Sequence, residues 1–195
     1  MARYLFTTRW HVDAPIDSVW DILVRPESYP AWWPHVAKTE LLQPGAADGL
    51  GDIWRTHFKT ALPYDLKMDG WVVRRKRPNV IELATVGELV GSGRWTLTEK
   101  AGGTEVEYEW NVSTSRLWMN FVAPITYFLF AWNHNQVMDS GAVGMARRLG
   151  ASASDIKHTQ DVRIAGQPAA QISMSLVAVL LGGLYLLACN QKQES

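Results

Sequence analysis

Cysteine is almost absent: Cys189 is the only one in 195 residues. A lone thiol forms no intrachain disulfide and no cysteine metal cluster, so a disulfide-stapled scaffold and a zinc-finger-type centre are excluded. Net charge is missing too. Nineteen Lys and Arg balance nineteen Asp and Glu. The positive surplus that phosphate binding requires is lacking, and nucleic acid is not expected as a partner. The one dense basic run, Arg74-Arg75-Lys76-Arg77, reads as a solvated strand end or turn. Phosphate loops, GxGxxG, GxSxG and HExxH do not occur, and His11, His35, His57, His134 and His158 show no metal-ligand spacing. No cofactor or metal is expected. The first residues, MARYLFTTRWHVDAPID, carry no continuous apolar stretch, so no secretory signal is expected either.

Apolar bulk is plentiful. Hydrophobic residues make up 47% of the chain and include ten tryptophans, spread from Trp10 to Trp132, so they belong to the fold and not to one motif. Residues 3–12 alternate, with Tyr4, Phe6, Thr8, Trp10 and Val12 on one face, as in a half-buried strand. "DAPIDSVWDIL" starts a helix: Asp13 is the expected N-cap, Pro15 suits the first turn, and Ile16, Val19, Trp20 and Leu23 form the apolar stripe. "RPESYPAWWPHV" reads as a turn and a short second helix. From Val36 to Ser113 the pattern is strand, broken by turns at Pro44–Gly51, Arg77–Asn79 and Ala101–Gly103. Trp54, Thr56 and Phe58 share a face; so do Tyr64, Leu66 and Met68, and so do Val106, Tyr108, Trp110 and Val112. Charged residues take the opposite parity, which predicts a one-sided antiparallel sheet. A long helix from about Trp118 to Leu149 is its natural cover.

This order of elements resembles the helix-grip superfamily of START-related and polyketide cyclase/dehydrase-like proteins (the SRPBCC group). The resemblance rests on "VDAPIDSVWDILVRPESYPAWWPHV" at 12–36, "GELVGSGRWTLTEKAGGTEVEYEWNV" at 87–112 and "WNHNQVMDSGAVGMARRLG" at 132–150. It implies an α+β fold in which a curved antiparallel sheet of about seven strands surrounds a long C-terminal helix, with two short helices after strand 1. It also implies an apolar ligand held between sheet and helix. The chain is accordingly divided into a ligand-binding domain at 1–150, a flexible linker at 151–171, a candidate transmembrane helix at 172–189 and a short tail at 190–195.

The expected cavity wall combines positions on the inward faces with positions on the long helix. From the connection and the sheet come Trp33, Trp54, Phe58, Tyr64, Met68, Trp95, Tyr108 and Trp110. From the helix come Tyr127, Ala131, His134, Asn135 and Met138. At about 100° per residue, Asn135 falls inside the apolar stripe and His134 at its border, whereas Asn133 and Gln136 point away. Asn135 and His134 are therefore the expected polar contacts, either to a strand or to a ligand. Two functions follow: carriage of a hydrophobic small molecule or lipid, or a cyclase, dehydrase or hydrolase reaction with His134 as acid or base.

Residues 172–189, "ISMSLVAVLLGGLYLLAC", contain no charge and as a helix would extend ~27 Å, close to a hydrocarbon core. Arg147, Arg148, Lys157 and Arg163 precede the segment and only Lys192 follows it, a bias that keeps the domain on the cytoplasmic side of a membrane. The sequence leaves ligand identity and oligomeric state open.

Overall fold

The computed structural model describes residues 2–60, 66–87, 89–114 and 123–164. β1 (Ala2–Val12) leads into α1 (Ile16–Leu23), a 3-10 turn (Pro26–Ser28) and α2 (Tyr29–Trp32). Six strands follow: β2 (Val36–Gln43), β3 (Ile53–Phe58), β4 (Leu66–Lys76), β5 (Val80–Gly87), β6 (Leu89–Lys100) and β7 (Gly103–Thr114). Then come the long helix α3 (Ala123–Leu149) and a last strand, β8 (Ala153–Ile164). The strands form one antiparallel sheet in the order β2-β3-β4-β5-β6-β7-β1-β8. This is the expected helix-grip α+β fold, with eight strands instead of seven.

Alternation explains the strands that build the core. Tyr4, Phe6, Thr8, Trp10 and Val12 of β1 are all buried, and so are Val106, Tyr108, Trp110 and Val112 of β7. β1 and β7 pair so that Phe6 lies opposite Trp110 and Thr8 opposite Tyr108. Their outer face is charged, and Arg9 there pairs with Glu107. The outer face is not charged throughout: Trp71, Val86 and Val90 are exposed on it.

The eighth strand corrects the linker. Residues 153–164 pair with β1 along its other edge, with Thr7 opposite Thr159 and Phe6 opposite Gln160. A bulge lies where Asp155 takes a φ of 54° and the register shifts between Arg9 and His11. Period-two patterning is present, but the residues facing α3 are Ile156, His158 and Gln160. Polar side chains in that position look like a solvated linker. They meet polar partners instead: His158 Nε2 donates to Asp139 Oδ1 at 2.8 Å, and Gln160 Nε2 donates to Asn135 Oδ1 at 2.9 Å. The other ring nitrogen, Nδ1, is hydrogen-bonded to the buried Thr8 hydroxyl at 3.1 Å. β8 thus covers a sheet edge that would otherwise present unpaired backbone groups, and it ties α3 to the sheet.

A second correction concerns the start of α1. Asp13 is not its cap; Pro15 holds that position and no side chain caps the helix. Asp13 instead accepts from the Ser152 hydroxyl and pairs with His11 at 3.2 Å. α2 is set against α3 by a close approach. The Trp33 ring lies where a Cβ on Gly141 would come within 2.6 Å of it. Trp33 Nε1 donates to the Val137 carbonyl at 2.8 Å, which fixes the ring's orientation. Among the described residues no helix is long and apolar enough to cross a membrane. The candidate transmembrane segment 172–189 lies outside them.

Candidate functional site

Between the inward face of the sheet and α3 lies a cavity of about 120 Å³. An engineered apolar cavity of ~150 Å³ accommodates benzene, so this space is on the scale of a small ring compound. Its walls come from β3 to β7, the turn before α2, and one flank of α3. Trp33, Trp54, Phe58 and Met68 line it, as do Trp95, Tyr108, Trp110, His134 and Met138. Ala131 is buried in the core but does not border the cavity. Tyr64 and the side chain of Tyr127 lie outside the described residues.

Asn135 does not face this space. The helix is turned so that Phe130, Asn133, His134 and Val137 face the cavity, while Asn135 and Asp139 face β8. The cause is β8 itself, which occupies the flank that would otherwise be solvent. Asn133, expected to be solvated, is 8% exposed and lines the wall.

The wall is nearly free of charge. Among its described residues, Arg75 is the one charged side chain. It was expected to be solvated with its neighbours, and a bulge on β4 explains the difference. The pairing with β5 shifts between Val72 and Arg74, which reverses the parity of the strand beyond it. Arg74 is left 53% exposed outside, and Arg75 is 13% exposed inside. Arg75 Nη1 donates to the Asp48 carbonyl, and Nη2 lies 4.0 Å from Asp52. Its Nε has no hydrogen-bond partner among the described residues. Tyr29, also on this side of the cavity, donates its hydroxyl to the Leu23 carbonyl at 2.6 Å. Burial raises the pKa of both Tyr29 and Tyr108, so both stay neutral.

Three strands across the sheet from Arg75, His134 sits in an aromatic stack. Its ring centre is 4.7 Å from Phe6 and 5.2 Å from Trp110, with only 13° between the imidazole and indole planes. Burial first, and His158 second, push its pKa down to about 3. Such an imidazole is neutral at ordinary pH and a weak base. Catalysis by His134 would also need a second placed group, and no carboxylate is present among the described lining residues.

A family model described as polyketide cyclase/dehydrase and lipid transport matches residues 4–150. A START superfamily protein from Mycobacterium smegmatis superposes with a TM-score of 0.61 at 14% identity, covering 75% of this chain and 97% of the other. The Zhui aromatase/cyclase from Streptomyces sp. R1128 gives a TM-score of 0.63 at 16% identity, covering 77% of this chain and 94% of the other. At such identities the two structures speak for the fold alone. No curated protein matches. The family match covers β1 to the end of α3, the elements that enclose the cavity, and stops before β8. The chain belongs to the polyketide cyclase/dehydrase and lipid transport family.

Proposed function

We propose that this protein binds a hydrophobic small molecule between the sheet and α3 and carries or presents it without transforming it. One observation carries the reading: among its described residues the cavity wall is apolar and aromatic, with a single charge, Arg75, that lies near Asp52 and a single imidazole held neutral. A mostly apolar concavity with a few placed polar groups is the usual form of a small-molecule site. The reading of His134 as acid or base is weaker, because a pKa of about 3 leaves too little proton affinity for general-base work near neutrality.

The test is extraction. The full chain, isolated in mild detergent, is extracted with organic solvent and analysed by mass spectrometry, then titrated with naphthalene by calorimetry. A co-purified apolar compound, or saturable naphthalene binding, supports carriage. The absence of both would remove it.

The tether forms the second half of the proposal: residues 172–189 insert in a membrane and the grip domain stays on the cytoplasmic side. The absence of charge from the segment and the basic residues before it support this. Only seven residues separate Ile164 from Ile172, which span at most ~25 Å. The end of the sheet where β8 finishes would then lie close to the bilayer. Vesicle flotation of the full chain, compared with the double variant Val179→Arg and Leu180→Arg, tests it. Equal flotation of the two proteins would refute insertion.

A further inference from the structure

Two ring nitrogens in the cavity wall are buried without a partner. Trp110 Nε1 and His134 Nε2 are both inaccessible to solvent, and neither finds a hydrogen-bond partner among the described residues. Both rings border the cavity, and they stack on one another. Thr85 Oγ1, on the inward face of β5, is a third lining atom in the same condition. Folded proteins leave few buried polar groups unpaired, because each costs free energy. With Arg75 Nε, four such atoms sit on side chains that line one small cavity, and they bear on what its occupant must offer.

Their chemistry is specific. The indole N–H of Trp110 donates only. A neutral imidazole has one N–H and one lone pair, and His134 is held neutral by its surroundings. A complementary group must therefore accept a hydrogen bond from Trp110, and it can either accept from or donate to His134. A hydroxyl or a ketone oxygen does this. An ammonium group would face the indole donor. A carboxylate at this pair would lose its hydration beside two uncharged rings, because the one guanidinium among the described lining residues, Arg75, is three strands away.

We propose that Trp110 and His134 form a subsite for one uncharged oxygen, hydroxyl or keto, on an otherwise apolar, ring-sized ligand. The proposal rests on the carrier reading above and adds the ligand's chemical class. The walls around the pair are aromatic: Phe6 and Phe130 flank it, with Phe130 stacked on Trp110 at 5.9 Å and 15°. The matching ligand is a phenol, a cyclic alcohol or an aryl ketone of one or two rings.

The experiment titrates the full chain by calorimetry with naphthalene, 2-naphthol and 2-naphthoate, and repeats the series on Trp110→Phe and His134→Phe. On the unsubstituted protein 2-naphthol should bind at least as tightly as naphthalene, and 2-naphthoate more weakly than both. In each variant the affinity for 2-naphthol relative to naphthalene should fall about tenfold, because the hydroxyl then loses a partner in a dry site. Circular dichroism and retained naphthalene binding confirm that a variant is folded. If one variant does not fold, the other and the three-probe comparison on the unsubstituted protein still decide. Naphthalene binding with 2-naphthol tenfold weaker on the unsubstituted protein, or with a ratio that neither substitution changes, overturns the subsite and leaves the carrier reading intact. A preference for 2-naphthoate overturns the uncharged class. Binding of none of the three overturns the carrier reading itself.

Discussion

Replacing His134 with Phe should make the protein less sensitive to mild acid. The imidazole is pushed down to about 3 in the fold, whereas in the unfolded chain it titrates near ~6.5. Between those values the unfolded chain binds a proton that the folded chain refuses. Stability is therefore complete above ~6.5, rises with pH across the window, and is lost progressively as pH falls through it. The slope is ~1.4 kcal/mol per pH unit, which gives a loss of roughly 2 kcal/mol between pH 7.5 and pH 5 from this one group. His134→Phe keeps a flat ring in the stack with Phe6 and Trp110 and removes the titration. The titratable neighbours His158 and Asp139 remain in both proteins. Urea unfolding of both proteins at the two pH values isolates the term, because common titrations cancel in the difference. The unsubstituted protein should lose roughly 2 kcal/mol more than the variant. A gap between the two proteins that stays constant to within about 0.5 kcal/mol would show that His134 takes up its proton freely in the fold, and the burial argument would be wrong.

Other perturbations test the framework. Gly141→Ala places a methyl group within 2.6 Å of a Trp33 ring that is pinned by its hydrogen bond to Val137; it should cost ~1–3 kcal/mol in thermal unfolding. His158→Ala removes the bonds to Thr8 and Asp139, so amide hydrogen exchange along β8 should accelerate while that of β6 and β7 is preserved. Leu83→Trp projects bulk into the cavity from the middle of β5 and should weaken naphthalene binding about tenfold or more, with the circular dichroism spectrum retained.

The strands carrying large apolar residues at every second position were legible because burial demands that pattern. β1 and β7 are the clearest cases, with inward residues that are all buried. Three features were not legible, each for a physical reason. β8 buries polar residues against polar partners on α3, so its alternation has no hydrophobic contrast. Asn133 and Asn135 exchange the roles that the helical wheel gives them, because the wheel assumes one buried side and β8 supplies a second. Arg75 lies in a basic run whose parity is reversed by a bulge, and a bulge leaves no mark in composition. Its exposed neighbour Arg74 differs in strand position alone. Most of the aromatic wall could be read from parity, whereas the polar groups that give it selectivity depend on register and on which flank of the helix the last strand occupies.

The pairing of β8 with β1 has a topological consequence. Ala2 lies opposite Ile164, so the first and last described strands begin and finish side by side. A peptide of a few residues would bridge them without crossing the sheet. A circular permutant could then open at the Ala101–Gly102 turn, where Gly102 has a φ of 84° and space for a side chain around it. Its new ends would emerge at the opposite pole of the grip. Since tight connections of this kind tolerate cutting when both flanking strands stay paired, the permutant should keep the cavity while its two ends move from one pole of the domain to the other.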